Sequence, residues 1–440
     1  MGLPVQRART GAAAAARPFP SKLFVEVTSQ CNLRCAMCPK QAPGGRDHNG
    51  DMDEATFVRL AAAFPSLETL VLNGVGEALL HPRLERFVEL ARRDMRPESG
   101  IGFQTNGQLV TPARARSLVR AGVDRVCVSA DAVDPGDFAR LRAGGRQEAV
   151  ESALDDLRAA SRAVGRRLSL GVESVVVREN VSRLPQLVRW AARHHAEFVI
   201  VTHMLPYAEE TAASAAFETS TDAARALFLD WKARAAAEGV DIGRYHDVFL
   251  RFRLTPPDQR VVEWVHRMME DAWSRGVTLH LGRLLGSDPT LLPHVEAAFA
   301  EAAEAAREAG IALELPASVP THERRCDFVE DGSAFVSWDG DVHPCYFLWH
   351  RYRCYVGGVE KRVAPHSFGN LRDRGILELW NGAAFRAFRG EVMRYEYPFC
   401  FDCNAALCTD VREEVVEDCH LGTVPCAACL WCTGVFQCLR

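Results

Sequence analysis

The sequence predicts an α/β protein with a parallel sheet, followed by a helical segment and then by a cysteine-rich region. Three observations support this prediction. Short apolar runs alternate with amphipathic helical periods six times between about residues 21 and 205. Ala, Arg and Glu dominate residues 206–320, where the apolar periods are those of long helices. Eleven of the 15 cysteines lie at or after Cys326, in a stretch rich in Gly, Pro and aromatic residues.

Six strands are predicted in the first part of the chain, with amphipathic segments between them. This repeated βα unit predicts helices outside a parallel sheet, either an open doubly wound sheet or a partial barrel. In both folds the functional groups gather at the carboxyl ends of the strands. The predicted strands are Leu23–Thr28, Glu68–Leu72, Ile101–Gln104, Arg125–Ser129, Leu168–Val177 and Phe198–Thr202.

The same patterns divide the chain into four predicted parts. Residues 1–20 are rich in Arg, Ala and Pro and lack the apolar run of an export signal, so we expect a disordered extension and a cytoplasmic protein. The α/β part spans 21–205, a helical insertion 206–320 and the cysteine-rich part 321–440. Within the last part, FVSWDGDVHPCYF predicts a hairpin with its turn at Asp339–Gly340, and ILELWNGAAFRAFRG predicts one helix.

Composition excludes some classes of partner and location. The chain has 440 residues, of which 48% are hydrophobic, and its net charge is −5. A chain of this size can bury a large core and does not need disulfides to fold. The charge gives no reason to expect a nucleic acid or an anionic membrane as partner, and no stretch of about 18 apolar residues predicts a membrane span.

Three cysteines follow the first predicted strand with the spacing C-x3-C-x2-C. They are Cys31, Cys35 and Cys38. Thiolates are soft ligands that favour zinc or iron–sulfur clusters. A closed zinc site needs a fourth ligand, which the triplet lacks. The spacing alone leaves two alternatives, a zinc site with a distant fourth ligand and a cluster with one open iron.

The triplet, with Met37 before its last cysteine, resembles the signature of the radical S-adenosylmethionine (SAM) enzymes. This resemblance extends over about Leu23 to Thr202 and implies a partial (β/α)6 barrel of the TIM type. It also implies a 4Fe–4S cluster that is held by three cysteines and binds SAM at its open iron. Reductive cleavage of SAM would give a 5′-deoxyadenosyl radical that abstracts hydrogen from a substrate, with the cofactor supplying the difficult chemistry.

Turns after the other strands resemble the SAM-binding turns of the same family. Gly74, Gly76 and Glu77 stand where the family has Gly-Gly-Glu-Pro, although Ala78 replaces the proline. Glycine permits a close backbone approach, and a glutamate can accept bonds from the SAM ammonium. The resemblance implies further SAM contacts at Thr105, Asn106, Ser129, Asp131 and Asn180.

Two residues after the sixth strand are candidates for a proton donor or a substrate contact. They are His203 and Tyr207, which we expect at the mouth of the cavity.

The C-terminal cysteines resemble the SPASM domain, which carries auxiliary 4Fe–4S clusters. Cys326 and Cys345 open its pattern, C-x13-G-x4-C, through Gly340. The later cysteines depart from the family pattern, so one or two auxiliary clusters are possible, and structural zinc is the alternative. We expect Cys432 to be a spare thiol. The candidate ligands are Cys326, Cys345, Cys400, Cys403, Cys408, Cys419, Cys426, Cys429 and Cys438.

Two stretches, THMLPYAEE and PCAACLWCTGVFQCL, resemble a SPASM subgroup of metalloenzyme maturases, some of them associated with tungsten enzymes. The resemblance implies a maturase that acts on a protein, a peptide or a cofactor precursor, with a reductant such as flavodoxin or ferredoxin. One alternative is modification of a ribosomal natural-product peptide or of a small metabolite such as an aminosugar. A different class, a non-enzymatic zinc or redox protein, would use the same cysteines.

Overall fold

One nine-stranded sheet organises the fold. The computed structural model describes residues 16–42, 49–403 and 418–439 of the chain. The strands of the sheet are β1 Lys22–Val25, β2 Thr69–Leu72, β3 Gly100–Thr105, β4 Arg125–Ser129, β5 Ser169–Val176, β6 Phe198–His203, β7 Ala312–Glu314, β8 Ser333–Val336 and β9 Val342–His343. A separate antiparallel hairpin contains β10 Tyr352–Val356 and β11 Val359–Val363.

The strand order identifies the sheet as a partial barrel. The order is β9-β8-β1-β2-β3-β4-β5-β6-β7, and every neighbouring pair is parallel except β8 with β9. A doubly wound sheet reverses its strand order at a switch point, whereas β1 to β7 follow one another in sequence. The predicted α/β fold with a partial barrel is therefore confirmed, and each of the six predicted strands is present within a few residues of its predicted bounds.

Helices cover the outside of the sheet and form a second body beyond it. In the described ranges the helices are α1 Glu54–Val58, α2 Leu84–Asp94, α3 Pro112–Ala121, α4 Pro135–Leu141, α5 Gln147–Val164, α6 Leu184–Arg193, α7 Asp222–Ala237, α8 Tyr245–Phe249, α9 Pro256–Ser274, α10 Leu281–Gly286, α11 Leu291–Ala309, α12 Asp327–Glu330, α13 Ile376–Trp380 and α14 Ala383–Val392.

The helix α3 shows how local sequence sets these bounds. The side chain of Thr111 accepts a bond from the backbone N–H of Arg114, and Pro112 occupies the first turn, where its missing N–H costs nothing. Gly122 ends the helix with φ of 114°, a conformation that strains residues with a Cβ. Between these signals, Leu118 and Val119 are buried against the sheet.

The segment predicted as one helical insertion divides into two parts. The helices α7 to α10 enclose an apolar core of their own. In contrast, α11 packs on α6, and β7 pairs in parallel with β6, so that this part continues the βα repeat of the barrel. No sequence pattern predicts β7, because this strand has three residues, is largely exposed and contains no β-branched or aromatic side chain.

The cysteine-rich part also differs from its prediction in two respects. Its hairpin is present, with Gly340 at φ of 92°, but β8 also pairs in parallel with β1 and so extends the barrel sheet. The predicted single helix is divided into α13 and α14, because the chain at Gly382 is extended. One continuous apolar core consequently joins this part to the barrel.

The apolar helices of the described ranges are short or amphipathic. None of them combines the length and the apolar character needed to cross a membrane.

Candidate functional site

Three cysteine thiols open on one cavity at the carboxyl ends of the barrel strands. Cys31, Cys35 and Cys38 line this cavity, which has a volume of about 280 Å³ and is called the barrel cavity below. The backbone N–H of Cys38 donates to the carbonyl of Cys35 at 3.1 Å, which closes a tight turn. The strand pair formed by Arg34–Cys35 and Arg142–Ala143 fixes the loop against its neighbours. The fold thus brings the triplet together at the predicted edge of the sheet.

The chemistry of these thiols fits an iron–sulfur cluster. Burial raises the pKa of all three thiols, and that of Cys38 rises to about 12. Cysteine binds metal as a thiolate, so the metal must displace these protons. In the described part of the chain, no three His, Cys, Asp or Glu side chains converge on the position of a single metal ion. A cluster places each thiolate on a different iron and needs no such convergence, so three thiols suit a cluster with one iron open to another ligand.

The glycine turn after β2 packs directly against the cysteine loop. A Cβ on Gly76 would lie 2.2 Å from the carbonyl oxygen of Thr28, and one on Gly74 would lie 2.3 Å from Cγ of Glu26. Both positions therefore require glycine for a close approach. The Glu26 carboxylate accepts a bond from the Val75 N–H at 2.9 Å, and so holds the turn in place.

Glu77 connects the glycine turn to the next strand end. Its carboxylate is 2% exposed and accepts bonds from Thr105 Oγ1 at 2.7 Å, from the Asn106 N–H at 2.7 Å and from the Leu79 N–H at 3.2 Å. Asn106 Nδ2 then donates to Oδ1 of Asn32 in the cysteine loop at 2.8 Å. The carboxylate therefore braces three loops, and the predicted contact of Glu77 with the SAM ammonium stays a prediction.

The remaining predicted SAM contacts fall into two groups. Gly74, Gly76, Glu77, Thr105, Asn106 and Ser129 all line the barrel cavity. Asp131 and Asn180 lie beneath its lining: Asp131 accepts from the Val175 N–H at 2.8 Å, and Asn180 Nδ2 donates to the Asp131 carbonyl at 3.0 Å. Their direct contact with SAM is not favoured by this arrangement, since their polar atoms already bind the ends of β4 and β5.

Asp131 instead orients a cation that sequence reasoning missed. Arg142 Nε lies 2.7 Å from Asp131 Oδ2, and the arginine lines the barrel cavity near Cys35. The side chain is almost fully buried, so its charge acts in a poorly screened environment. No sequence signal distinguishes Arg142 from the other arginines, because only the pairing of its short strand with the cysteine loop brings it to the cavity.

His203 and Tyr207 line the same cavity. Burial lowers the pKa of His203 to about 3, so the imidazole is neutral at physiological pH. Its Nε2 lies 3.2 Å from the carbonyl oxygen of Ala317, which favours the tautomer with hydrogen on Nε2. His203 then offers a lone pair at Nδ1 and is a hydrogen-bond acceptor rather than a proton donor. Burial also raises the pKa of Tyr207, whose ring lies 5.4 Å from that of Tyr352.

A chain of polar side chains crosses the inside of the barrel along the lining of the cavity. Tyr346 Oη donates to Asn73 Oδ1 at 2.7 Å, Asn73 Nδ2 to Gln104 Oε1 at 3.1 Å, and Gln104 Nε2 to Ser129 Oγ at 3.2 Å. Gln104 also bonds to Glu173, and burial raises the pKa of that carboxyl to about 7. Tyr346 comes from the cysteine-rich part, so both parts of the chain build this interior.

A second cavity contains six of the later cysteines and is called the C-terminal cavity below. Much of the rest of its lining is aromatic and apolar, including Phe24 and Phe347. Cys432, predicted to be spare, lies in this lining, and its Sγ is 3.4 Å from the Cys429 carbonyl. The cysteines of the cavity are Cys326, Cys345, Cys426, Cys429, Cys432 and Cys438.

The other candidate ligands lie outside this lining. Cys400 is nevertheless close to it, because its N–H donates to the Ala427 carbonyl at 3.1 Å, and Cys403 follows it after one short helical turn. Cys419 is exposed. Cys408 lies outside the described residues.

One wall separates the two cavities. Trp431, Phe436 and Cys438 each line both of them. The rings of Trp431 and Phe436 are 4.6 Å apart, and the N–H of Gln437 donates to Thr202 Oγ1 at the end of β6. The C-terminal residues therefore bring the two groups of cysteines close to each other, which sequence spacing could not show.

Comparisons with known proteins agree with this geometry. A family model of the radical SAM superfamily matches residues 25–191, and the SPASM model, an iron–sulfur cluster-binding domain, matches residues 326–404. Over 424 residues the chain is 28% identical to the tungsten-containing aldehyde ferredoxin oxidoreductase cofactor-modifying protein of Pyrococcus furiosus. That match covers 94% of this chain and 96% of the relative.

Two further similarities are partial or limited to the fold. The GTP 3′,8-cyclase of Synechococcus sp. (strain WH7803) is 34% identical over 206 residues, which cover 43% of this chain and 58% of the cyclase. The crystal structure of Streptococcus suis SuiB bound to precursor peptide SuiA matches with a TM-score of 0.50 at 12% identity, over 89% of this chain and 71% of SuiB. At that identity the likeness shows a shared fold and nothing about the substrate.

Proposed function

Because the chain belongs to the radical SAM superfamily and carries a SPASM iron–sulfur domain, we propose that it is a maturase. It cleaves SAM at the barrel cavity and modifies a metalloenzyme or the organic precursor of that enzyme's cofactor. The observation that carries this proposal is the similarity to a cofactor-modifying protein over 94% of the chain, since it includes the helical insertion and both groups of cysteines. The likeness to the cyclase stops at about half of that enzyme and supports the shared radical chemistry only.

In this proposal Cys31, Cys35 and Cys38 hold the 4Fe–4S cluster. When bound, the cluster supplies the electron that cleaves SAM to a 5′-deoxyadenosyl radical. Arg142, fixed by Asp131, is the cation that can receive the SAM carboxylate in the same cavity.

The other lining residues position the reactants and exclude water. The backbone of the glycine turn lies against the cysteine loop, so that SAM can approach without meeting side chains there. His203 presents a neutral acceptor, which suits a hydroxyl or amine donor of the substrate. Trp349 and Tyr346 close the side of the cavity that faces the cysteine-rich part. A radical needs such a shielded space, because water and exposed side chains would consume it.

The auxiliary cluster or clusters lie behind the wall of Trp431, Phe436 and Cys438 in this proposal. Their ligands come from the six cysteines of the C-terminal cavity together with Cys400 and Cys403. The proposal includes a low-potential reductant such as flavodoxin or ferredoxin. It also places the protein in the cytoplasm, where thiols stay reduced.

Anaerobically prepared protein tests the enzyme class directly. We expect brown protein with about 8–12 iron per chain, if two or three four-iron clusters form, and with a similar amount of acid-labile sulfide. With SAM and dithionite it should form 5′-deoxyadenosine, and the Cys35→Ala variant should not. Protein that carries zinc without sulfide, and forms no 5′-deoxyadenosine, would instead be the non-enzymatic zinc protein.

The maturase assignment needs a second measurement. A tungsten-dependent oxidoreductase is expressed with and without this chain, and its bound cofactor is compared by mass spectrometry. We expect a mass difference that requires the chain with Cys35 intact. If the cofactor is identical in both preparations while 5′-deoxyadenosine still forms, the chain is a radical SAM enzyme with another substrate.

A further inference from the structure

A lysine projects from the largely buried face of the hairpin formed by β10 and β11. In this hairpin Cys354 lies directly opposite Lys361, so both side chains project from the same face. The neighbours on that face are Tyr352, Val356 and Val363, which are 6%, 9% and 3% exposed. The alternation of the strands therefore assigns to Lys361 a position that normally holds an apolar side chain.

This lysine has no acidic partner in the described part of the chain. Its Nζ lies 5.8 Å from the centre of the Phe347 ring, which lines the C-terminal cavity. The side chain is only partly exposed, and burial lowers the pKa of its ammonium. Four cysteine sulfurs act in the opposite direction and favour the charged ammonium. They belong to Cys354, Cys400, Cys426 and Cys429.

A second cation acts on two of the same sulfurs, those of Cys426 and Cys429. Arg324 is 4% exposed, and its charge acts on Cys426, Cys429 and Cys432. Its guanidinium donates to the carbonyls of Tyr397 and Pro398, both at 2.8 Å, and forms no ion pair among the described residues. The Arg324 guanidinium thus has neutral hydrogen-bond partners. Among the described residues, the Lys361 ammonium has neither a hydrogen bond nor an ion pair.

Removing a cation from water is costly unless an anion compensates for it. Two cations without carboxylates, placed beside a group of thiols, predict that these sulfurs carry negative charge in the working protein. A 4Fe–4S cluster with cysteine ligands is such an anion, and it becomes more negative by one charge when it accepts an electron. A nearby cation stabilises the reduced state more than the oxidised state, and so raises the reduction potential.

We propose that Lys361 raises the reduction potential of the auxiliary cluster held by the C-terminal cysteines. It acts from outside the ligand set, through the electrostatic field of an ammonium that lies beside Phe347 of the cavity lining. This inference rests on the proposed function, because it requires a cluster at those cysteines. In the step concerned, the oxidised cluster takes one electron from a reductant or a substrate radical, and Lys361 keeps its proton throughout. The cluster becomes a better electron acceptor for the neighbouring barrel cavity.

The test is a redox titration of the fully loaded protein followed by electron paramagnetic resonance. Lys361→Met and Lys361→Gln remove the charge, and Lys361→Arg retains it. The matched control is Lys232→Met, which removes an exposed lysine from α7 in the helical insertion. The cluster at Cys31, Cys35 and Cys38 is an internal reference in every sample.

In both neutral variants we expect one auxiliary cluster to be reduced about tenfold less readily. Its reduction potential then falls by about 59 mV for one electron. The Lys361→Arg and Lys232→Met variants should match the wild type, and the reference cluster should not shift. If the potential of the auxiliary cluster is unchanged in both neutral variants at full iron content, the proposed role of Lys361 is wrong. The proposed function is not affected by that outcome. Wild-type protein without any auxiliary iron would overturn the proposed function, and this inference with it.

Discussion

The two cysteine cavities share one wall but differ in every other respect. The barrel cavity has the three thiols of the triplet beside polar strand ends, with Cys438 at the shared wall, whereas the C-terminal cavity has six thiols, Cys438 among them, in a lining of mostly aromatic and aliphatic side chains. The lining of the barrel cavity is the more polar of the two, and the triplet supplies three thiols for the four irons of a cluster. This leaves room for a small molecule to complete the ligation. An apolar lining with surplus thiols favours a group ligated by the protein alone. In the proposed function, this contrast assigns the radical chemistry to the barrel cavity and an electron-accepting cluster to the C-terminal cavity.

The cations of the two cavities differ in the same way. Arg142 is oriented by the carboxylate of Asp131, which fixes its direction and reduces its net field. Lys361 and Arg324 have no such carboxylate among the described residues, so their field extends to the nearby sulfurs. A paired cation suits recognition of a ligand carboxylate, and an unpaired one suits adjustment of a charge that changes during turnover.

The largest expected effect comes from removing one thiol from each cavity. Cys35→Ala should lose SAM cleavage down to the uncatalysed background, because the cluster there has no thiolate to spare. Cys429→Ala should lose about four iron per chain yet still cleave SAM without productive coupling to substrate. For each variant, iron analysis measures the loss of a cluster and 5′-deoxyadenosine formation measures SAM cleavage. Cys432→Ala decides whether that cysteine, predicted to be spare, is a ligand.

Cys127→Ala is the matched control for these variants. Cys127 is a fully buried thiol on β4 and belongs to the apolar core. Its removal should leave the iron content unchanged. If Cys35→Ala retained normal SAM cleavage, the assignment of the first triplet would be wrong, and equal iron in Cys429→Ala and the wild type would refute an auxiliary ligand there.

A smaller effect should distinguish the two glycines of the turn after β2. In Gly76→Ala the new methyl group meets a backbone carbonyl, so the turn or the cysteine loop must move. In Gly74→Ala it meets Cγ of Glu26 at 2.3 Å and Cβ at 2.7 Å, so rotation of that side chain relieves part of the contact. We expect Gly76→Ala to weaken SAM binding by about 1–3 kcal/mol, the usual cost of overpacking, and Gly74→Ala to weaken it less. Calorimetry on loaded, unreduced protein measures this, and equal losses would contradict the packing argument.

The last effect concerns stability and should appear only above pH 5 or so. The pKa of Glu173 is raised from 4.5 to about 7 by burial, so the folded state keeps a proton that the unfolded state releases. Stability therefore falls as pH rises through this window, by about 3 kcal/mol in total. Glu173→Gln removes the titration and should be more stable than wild type at pH 8 or so, but not at pH 5 or below.

Denaturant unfolding of both proteins at these two pH values measures the difference. The variant keeps an acceptor for Gln104, so the polar chain along the barrel cavity should persist. An identical pH dependence in the two proteins would show that Glu173 does not titrate in this range.

Sequence patterns were most informative where structure is local. The six barrel strands are flanked by strong helix signals, such as Thr111 and Gly122 around α3, and all six were found close to their predicted bounds. The spacing of Cys31, Cys35 and Cys38 within eight residues is local too, so the chain alone could indicate one site. In contrast, β7 has no periodic pattern, and its pairing with β6 depends on α11 packing against the barrel.

Contacts between distant parts of the chain could not be predicted in this way. Arg142 reaches the barrel cavity only because its short strand pairs with Cys35. Spacing alone made Cys432 look spare, but the turn after Cys429 places it in the lining with five other cysteines. The hydrogen bonds that join the Glu77 carboxylate to Thr105 and Asn106 were likewise not predictable from spacing, and its contact with SAM stays a prediction.

Periodicity and spacing along the chain were enough to predict the α/β repeat, the cysteine triplet and the resemblance to radical SAM and SPASM proteins. The folded chain was needed to show that Trp431 and Phe436 stand between the two groups of cysteines, and that Lys361 lies beside Phe347 of the second cavity. Such proximity joins residues hundreds of positions apart. It is set by strand pairing and core packing across the whole chain, which no local pattern encodes.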